Sequence, residues 1–191
     1  VAKKTEMLVR EQTASYGFGD GIMNIVKIDE NTLKTIKEKY SSDNTKVINL
    51  INSINKTVIE DGLGSPYLKS IGDRAEAIKE DYDDRQVTTQ EALNRIEDLV
   101  REINEAREKQ NETKFDINTF TIFWTLKQEK IRESEIHAQA INSVFMRFPN
   151  FNHNAEELRQ LKAEIYKLLL PVTGKDGMIV LVEKLIKINR K

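Results

Sequence analysis

The stretch "TTQEALNRIEDLVREINEAR", Thr88 to Arg107, decides the fold. Thr88 is followed three residues later by Glu91, the pattern of a reciprocal N-terminal cap in which each side chain serves the other's backbone N–H. Beyond it, Ala92, Leu93, Ile96, Leu99, Val100, Ile103 and Ala106 recur at helical spacing and form one apolar stripe. The other face is mostly charged, with Glu91, Arg95, Glu97, Asp98, Arg101, Glu102, Glu105 and Arg107, and pairs such as Glu97 and Arg101 stand four apart, where opposite charges support a helix. A capped helix with one buried face is predicted here, and the rest of the chain repeats the pattern.

Working toward the N-terminus, Leu68, Ile71, Ala75, Ile78 and Tyr82 give a helix before this one, separated from it by the acidic run "EDYDDR" (Glu80–Arg85). That run lacks calcium-loop spacing and reads as a solvated helix end. Before "DGLGSP" (Asp61–Pro66) lies a stripe of Val47, Ile48, Ile51, Ile54, Val58 and Ile59, with Asp43 or Asn44 as its cap. Leu33, Ile36 and Tyr40 mark a short first helix. Residues 1–30 have no clear period. Gly17, Gly19 and Gly21 within them resemble a phosphate loop only loosely, because no Lys-Ser/Thr follows, and they read as a flexible join.

Toward the C-terminus, Asp116 or Asn118 opens a helix carrying Phe120, Phe123, Trp124 and Leu126. Ser134 caps the next, with Ile136, Ala140, Ile141, Val144, Phe145 and Phe148. Phe148, Pro149 and Phe151 form an apolar corner. Asn154 with Glu157 caps a helix of Leu158, Leu161, Ile165, Leu168 and Leu169, which Pro171 and Gly174 are expected to stop. A last helix from about Lys175 to Ile188 turns Ile179, Val182, Leu185 and Ile186 inward. "MIVLV" within it, read alone, also suits a strand, but no second strand offers a partner. The expected fold class is all-α, an irregular multi-helix bundle of about seven or eight mostly antiparallel helices. Residues 1–30 are expected to be an arm or linker and 31–191 a helical domain, with a sub-boundary near 61–66.

Composition agrees. Of 191 residues, 39% are hydrophobic and 32% charged, so a core can form beneath a heavily charged surface. Eight glycines and three prolines leave room for long helices. The formal charge of −1, from 30 basic and 31 acidic residues, gives no global field for phosphate binding. Absence of cysteine excludes disulfides and thiolate metal sites. No apolar run reaches the roughly 18 residues a membrane helix needs, and the first residues contain no apolar signal core. The chain begins with Val and is expected to be cut from a longer polypeptide.

Catalytic patterns are not found. Glu112-Thr113-Lys114 matches the Glu-x-Lys string of a nuclease, but no strand is readable there. "TGKDG" (Thr173–Gly177) places Asp where a phosphate loop needs Ser or Thr. His137 and His153 are the only imidazoles. Glu133 and Glu135 flank His137, but a Glu two residues before it points to another helix face. His153 falls in a capping loop, and both read as surface or half-buried histidines. No Gly-x-Ser-x-Gly elbow is present. A small helical enzyme would need titratable groups converging in a pocket. Catalytic, cofactor-binding and metal-binding residues are therefore expected to be none. Phe123 and Trp124 are adjacent and point in different directions, so Phe120, Phe123 and Trp124, within the Phe120–Leu126 segment, are candidates for binding a partner. The last helix is a second candidate face for helix-on-helix docking. Lys184, Lys187, Arg190 and Lys191 form a basic end and are candidate DNA contacts, with Lys167 and Lys175 upstream.

Four segments, "YGFGDGIMNIVKIDENTLKTIKE", "DDRQVTTQEALNRIEDLVREI", "FDINTFTIFWTLK" and "RFPNFNHNAEELRQLKAEIYKLLLP", occur in an order that resembles the C-terminal region of the restriction (R) subunit of type I restriction-modification enzymes. The resemblance implies a prokaryotic, cytoplasmic parent subunit that joins a nuclease domain and two helicase-like motor domains to a C-terminal helical region. Such a parent uses ATP and Mg²⁺ to pull DNA past a methyltransferase core of modification and specificity subunits, then cleaves it. It further implies a non-enzymatic role for this portion, docking the motor onto that core, with guidance of DNA beside the motor as the alternative. The family's nuclease and motor motifs match no position here, so no cofactor is expected in these residues.

Overall fold

A computed structural model describes residues 25–189, and these contain seven helices and no strand. In chain order they are α1 (Thr32–Lys39), α2 (Asp43–Asp61), α3 (Tyr67–Asp83), α4 (Thr89–Glu112), α5 (Ile117–Gln128), α6 (Ser134–Arg147) and α7 (Ala155–Asn189). Helices α2, α3 and α4 pack mutually, with α1 against α2. Helices α5, α6 and α7 pack in sequence, and α3 joins the two groups by touching both α5 and α7. The glycine-rich Gly17–Gly21 stretch lies outside the described residues.

Helix α4 forms as its sequence dictates. The Thr88 hydroxyl accepts from the Glu91 N–H at 3.2 Å, and the Thr88 N–H donates to the Glu91 carboxylate at 2.8 Å. All seven residues of its predicted stripe are buried. Glu97 departs from the expectation of a solvent-facing partner for Arg101. It does meet Arg101 at 2.9 Å, but its side chain is only 8% exposed and accepts a second cation, Lys37 of α1, also at 2.9 Å.

Other expectations are corrected. The cap of α2 is Ser42, without a side-chain bond, while Asp43 pairs with Lys46 at 2.8 Å. Asn44 is drawn away by tertiary partners: its Oδ1 accepts from the Tyr82 hydroxyl at 2.6 Å and the Thr89 hydroxyl at 3.0 Å. Ile48 and Ile59 of α2 are exposed, and Leu50 is buried instead. Ser134 begins α6 without capping it. Glu133 occupies the cap in a left-handed conformation, and the Ser134 hydroxyl donates to the Ile131 carbonyl.

Asn154 caps α7 as predicted, accepting from the N–H groups of Glu156 and Glu157 at 3.0 and 3.2 Å. Glu157 does not complete the box. Its carboxylate accepts instead from the Asn150 N–H and side chain, at 2.8 and 3.1 Å, bracing the Phe148–Phe151 corner. Phe151 is buried edge-on against Phe145, with ring centroids 5.5 Å apart.

Pro171 does not stop α7, since the helical run continues through it. The break is at Gly174, with φ 69° and ψ 176°, a region open essentially to glycine alone. Lys162 lies 2.5 Å from Glu183. In a straight helix, 21 residues span roughly 31 Å, so the two arms fold back on one another as a hairpin. On the second arm Met178, Leu181, Val182, Leu185 and Ile186 face the core, and Ile179, expected inside, is exposed.

Buried side chains on both sides of residue 30 and of 61–66 belong to one core. One cluster of buried side chains runs from Ile28 to Ile186. The Ile28 N–H donates to the Thr57 hydroxyl at 2.9 Å, and Thr57 in turn donates to the Ser53 carbonyl at 2.8 Å. Arg107 of α4 bonds the Ile28 carbonyl and reaches Asp61 at 3.0 Å. The last residues of the expected arm are thus part of the packed unit.

Candidate functional site

The aromatic residues proposed from sequence as a partner surface are positioned by α5. Asp116 starts this helix, its carboxylate accepting from the N–H groups of Asn118 and Thr119 at 3.0 and 3.1 Å. Burial raises the Asp116 carboxyl's affinity for its proton, but bonds from the Thr119 hydroxyl and from these N–H groups outweigh that, and its pKa lies below the ordinary value. Every residue from Thr119 to Leu126 is buried. The polar members are accommodated along the helix itself: Thr121 and Thr125 donate to the carbonyls of Ile117 and Thr121, each at 2.8 Å.

Phe120, Phe123 and Trp124 are 0, 4 and 2% exposed, so none offers an anchor at the surface. The expectation that one is left over fails because α5 is covered on all sides, as a helix apolar all round must be. Phe120 stacks on Trp124 with centroids 6.0 Å apart, and Tyr67 of α3 meets Phe120 edge-on at 5.4 Å. The Trp124 indole N–H donates to Glu102 at 3.4 Å, and Arg74 reaches the same oxygen at 2.6 Å. Lys127 sits 4.7 Å from the centre of the Trp124 ring, closing the outer side.

The two described basic candidates each face an acid. Lys184 pairs with Glu129 of the α5–α6 turn at 2.6 Å, and Lys187 pairs with Asp73 of α3 at 2.6 Å. Arg190 and Lys191 lie outside the described residues. Lysine spacing along one helix gave no sign of these acids, which arrive from 55 and 114 residues away.

The remaining chemical candidates stay apart. Glu112 ends α4 and pairs with Lys109 at 3.0 Å. His137 is half-buried on α6, and His153 is exposed in the turn before α7. Among the described residues, no three His, Asp or Glu side chains converge as metal ligands, and no helix is long and apolar enough to cross a membrane.

The last helix is a candidate docking face from sequence, but which of its side chains are exposed, and that residues before the α7 break join them, is legible only in the structure. Leu170, Val172, Ile179 and Val180 are 49, 40, 43 and 70% exposed, all within two turns of Gly174. The signal was the breadth of apolar sequence around the break, wider than the stripe one helix face can bury. Exposed aliphatic side chains close together along the chain are a feature of contact surfaces.

Compared with family models, with curated proteins and with solved structures, the chain finds no match.

Proposed function

We propose that this chain is a non-catalytic assembly module: the C-terminal helical region of a type I restriction enzyme R subunit. It docks the ATP-dependent DNA translocase and endonuclease onto the methyltransferase core of modification and specificity subunits, in the prokaryotic cytoplasm. The four-segment resemblance supports the family. The observation that carries the docking role is the exposed aliphatic end of the α7 hairpin, with Val180 70% exposed. Helix surfaces of this kind are a common mode of protein recognition. ATP and Mg²⁺ belong to the parent subunit's other domains.

The test is co-purification of the full chain with the modification and specificity subunits. Association is expected, and the Ile179→Glu/Val180→Glu variant is expected to lose it while keeping its helical circular dichroism. Failure of the chain to associate under conditions where an intact R subunit does would overturn the docking role.

A further inference from the structure

A second surface stands away from the hairpin end. An apolar cleft of about 510 Å³ opens between α2, α3 and the second arm of α7. Val58, Gly72 and Ile188 are among the residues that line it. Gly72 is what lets α3 approach there: a Cβ on it would stand 3.2 and 3.3 Å from the two methyl groups of Val58. Ile59 rises at one wall, 79% exposed. Leu63, in the turn after α2, is 93% exposed.

The rim is basic. Three lysines, Lys69, Lys184 and Lys187, line the cleft with one acid, Asp73, and Lys184 also meets Glu129, which lies outside the lining, at 2.6 Å. Lys69 has no ion-pair partner among the described residues, while the Lys187–Asp73 pair is exposed at both ends, 74 and 62%. An ion pair so exposed contributes little and exchanges readily for another.

Enclosed ligand sites cover most of their ligand's surface. This cleft is open along one side. An open apolar trough edged by lysines fits an amphipathic helix, with apolar side chains at i, i+3, i+4 and i+7 in the trough and acids along its flanks. We infer that the cleft between α2, α3 and α7 is a docking groove for an acidic amphipathic helix of a partner protein. The inference does not rest on membership of a type I enzyme.

The probe is a labelled peptide of about 18 residues, roughly 27 Å as a helix, with a leucine stripe and glutamates elsewhere. A twin carries lysines in place of the glutamates. Fluorescence anisotropy with the full chain is expected to show saturable binding of the glutamate peptide, at least about tenfold tighter than its twin and weakened by salt. Ile59→Glu is expected to weaken it by about tenfold or more, and Lys69→Glu/Lys187→Glu to reverse the preference between the peptides. Both variants alter exposed side chains, and circular dichroism checks their folding. Absence of saturable binding, equal binding of the twin, or indifference to Ile59→Glu overturns the inference. So do two results that assign the groove another occupant: a dimer of the free chain that Ile59→Glu dissociates, or residues 1–24 becoming newly open to proteolysis in that variant.

Discussion

Lys162 Nζ lies 2.5 Å from Glu183 Oε1, across the two arms of a helix that Gly174 folds back on itself. The ion pair reports the hairpin without creating it. Both side chains reach solvent, at 29 and 53% exposure, so Coulomb attraction between them is weak. The reversal rests on the backbone at Gly174 and on the core-facing residues of each arm.

Gly174→Ala is accordingly expected to destabilise by about 1–3 kcal/mol. No atom lies within 4 Å of a Cβ built there, so the cost is purely conformational. Lys162→Ala is expected to cost less than about 1 kcal/mol. Urea unfolding of both variants checks the order.

Trp124→Ala is expected to cost about 3–5 kcal/mol, as large aromatic truncations in a core do. The side chain is 2% exposed and packs against both Phe120 and Tyr67. If Trp124 were instead a surface anchor, the midpoint of unfolding would stay near that of the parent chain. Chemical denaturation distinguishes the two.

Glu97 predicts an asymmetry. Its partners Lys37 and Arg101 are 52 and 56% exposed, whereas its own side chain is 8% exposed. Removing the carboxylate lets both cations rehydrate, so Glu97→Gln is expected to cost under about 1 kcal/mol. Removing both cations strands a buried carboxylate, so Lys37→Met/Arg101→Met is expected to cost about 1–3 kcal/mol. Denaturation of the single and double variants at neutral pH measures the difference.

Asp116 gives a pH dependence. Its carboxyl has a folded pKa below the ordinary value, so the unfolded chain takes up its proton first as pH falls. Its stabilising share is complete above the ordinary carboxylate range and is lost as pH drops through the lowered folded pKa. Asp116→Asn, which keeps a capping oxygen, is expected to flatten this part of the acid limb. Asp116→Ala is expected to cost about 1 kcal/mol at neutral pH. Unfolding free energies from neutral pH down through the acid range check both.

The hairpin end and the α2–α3–α7 cleft show why a site is harder to read than a helix. Ile59 and Val58 are neighbours in one apolar run, yet one is 79% exposed and the other is half-buried. Which is covered depends on where α3 and α7 lie, and α7 lies there because Gly174 reverses it.

By itself the sequence determined the helices and several of their starts. Period and caps are local: Thr88 and Glu91, Asp116, and Asn154 act within three residues of themselves, and the α4 stripe follows from 3.6 residues per turn. Tertiary structure alone decided the rest. It enclosed α5, whose apolar residues surround the helix and select no face. It moved Asn44 from cap to cross-link and gave Lys184 and Lys187 acids from distant helices. Local patterns arise from forces along one helix, whereas exposure and pairing depend on which other helices arrive beside it.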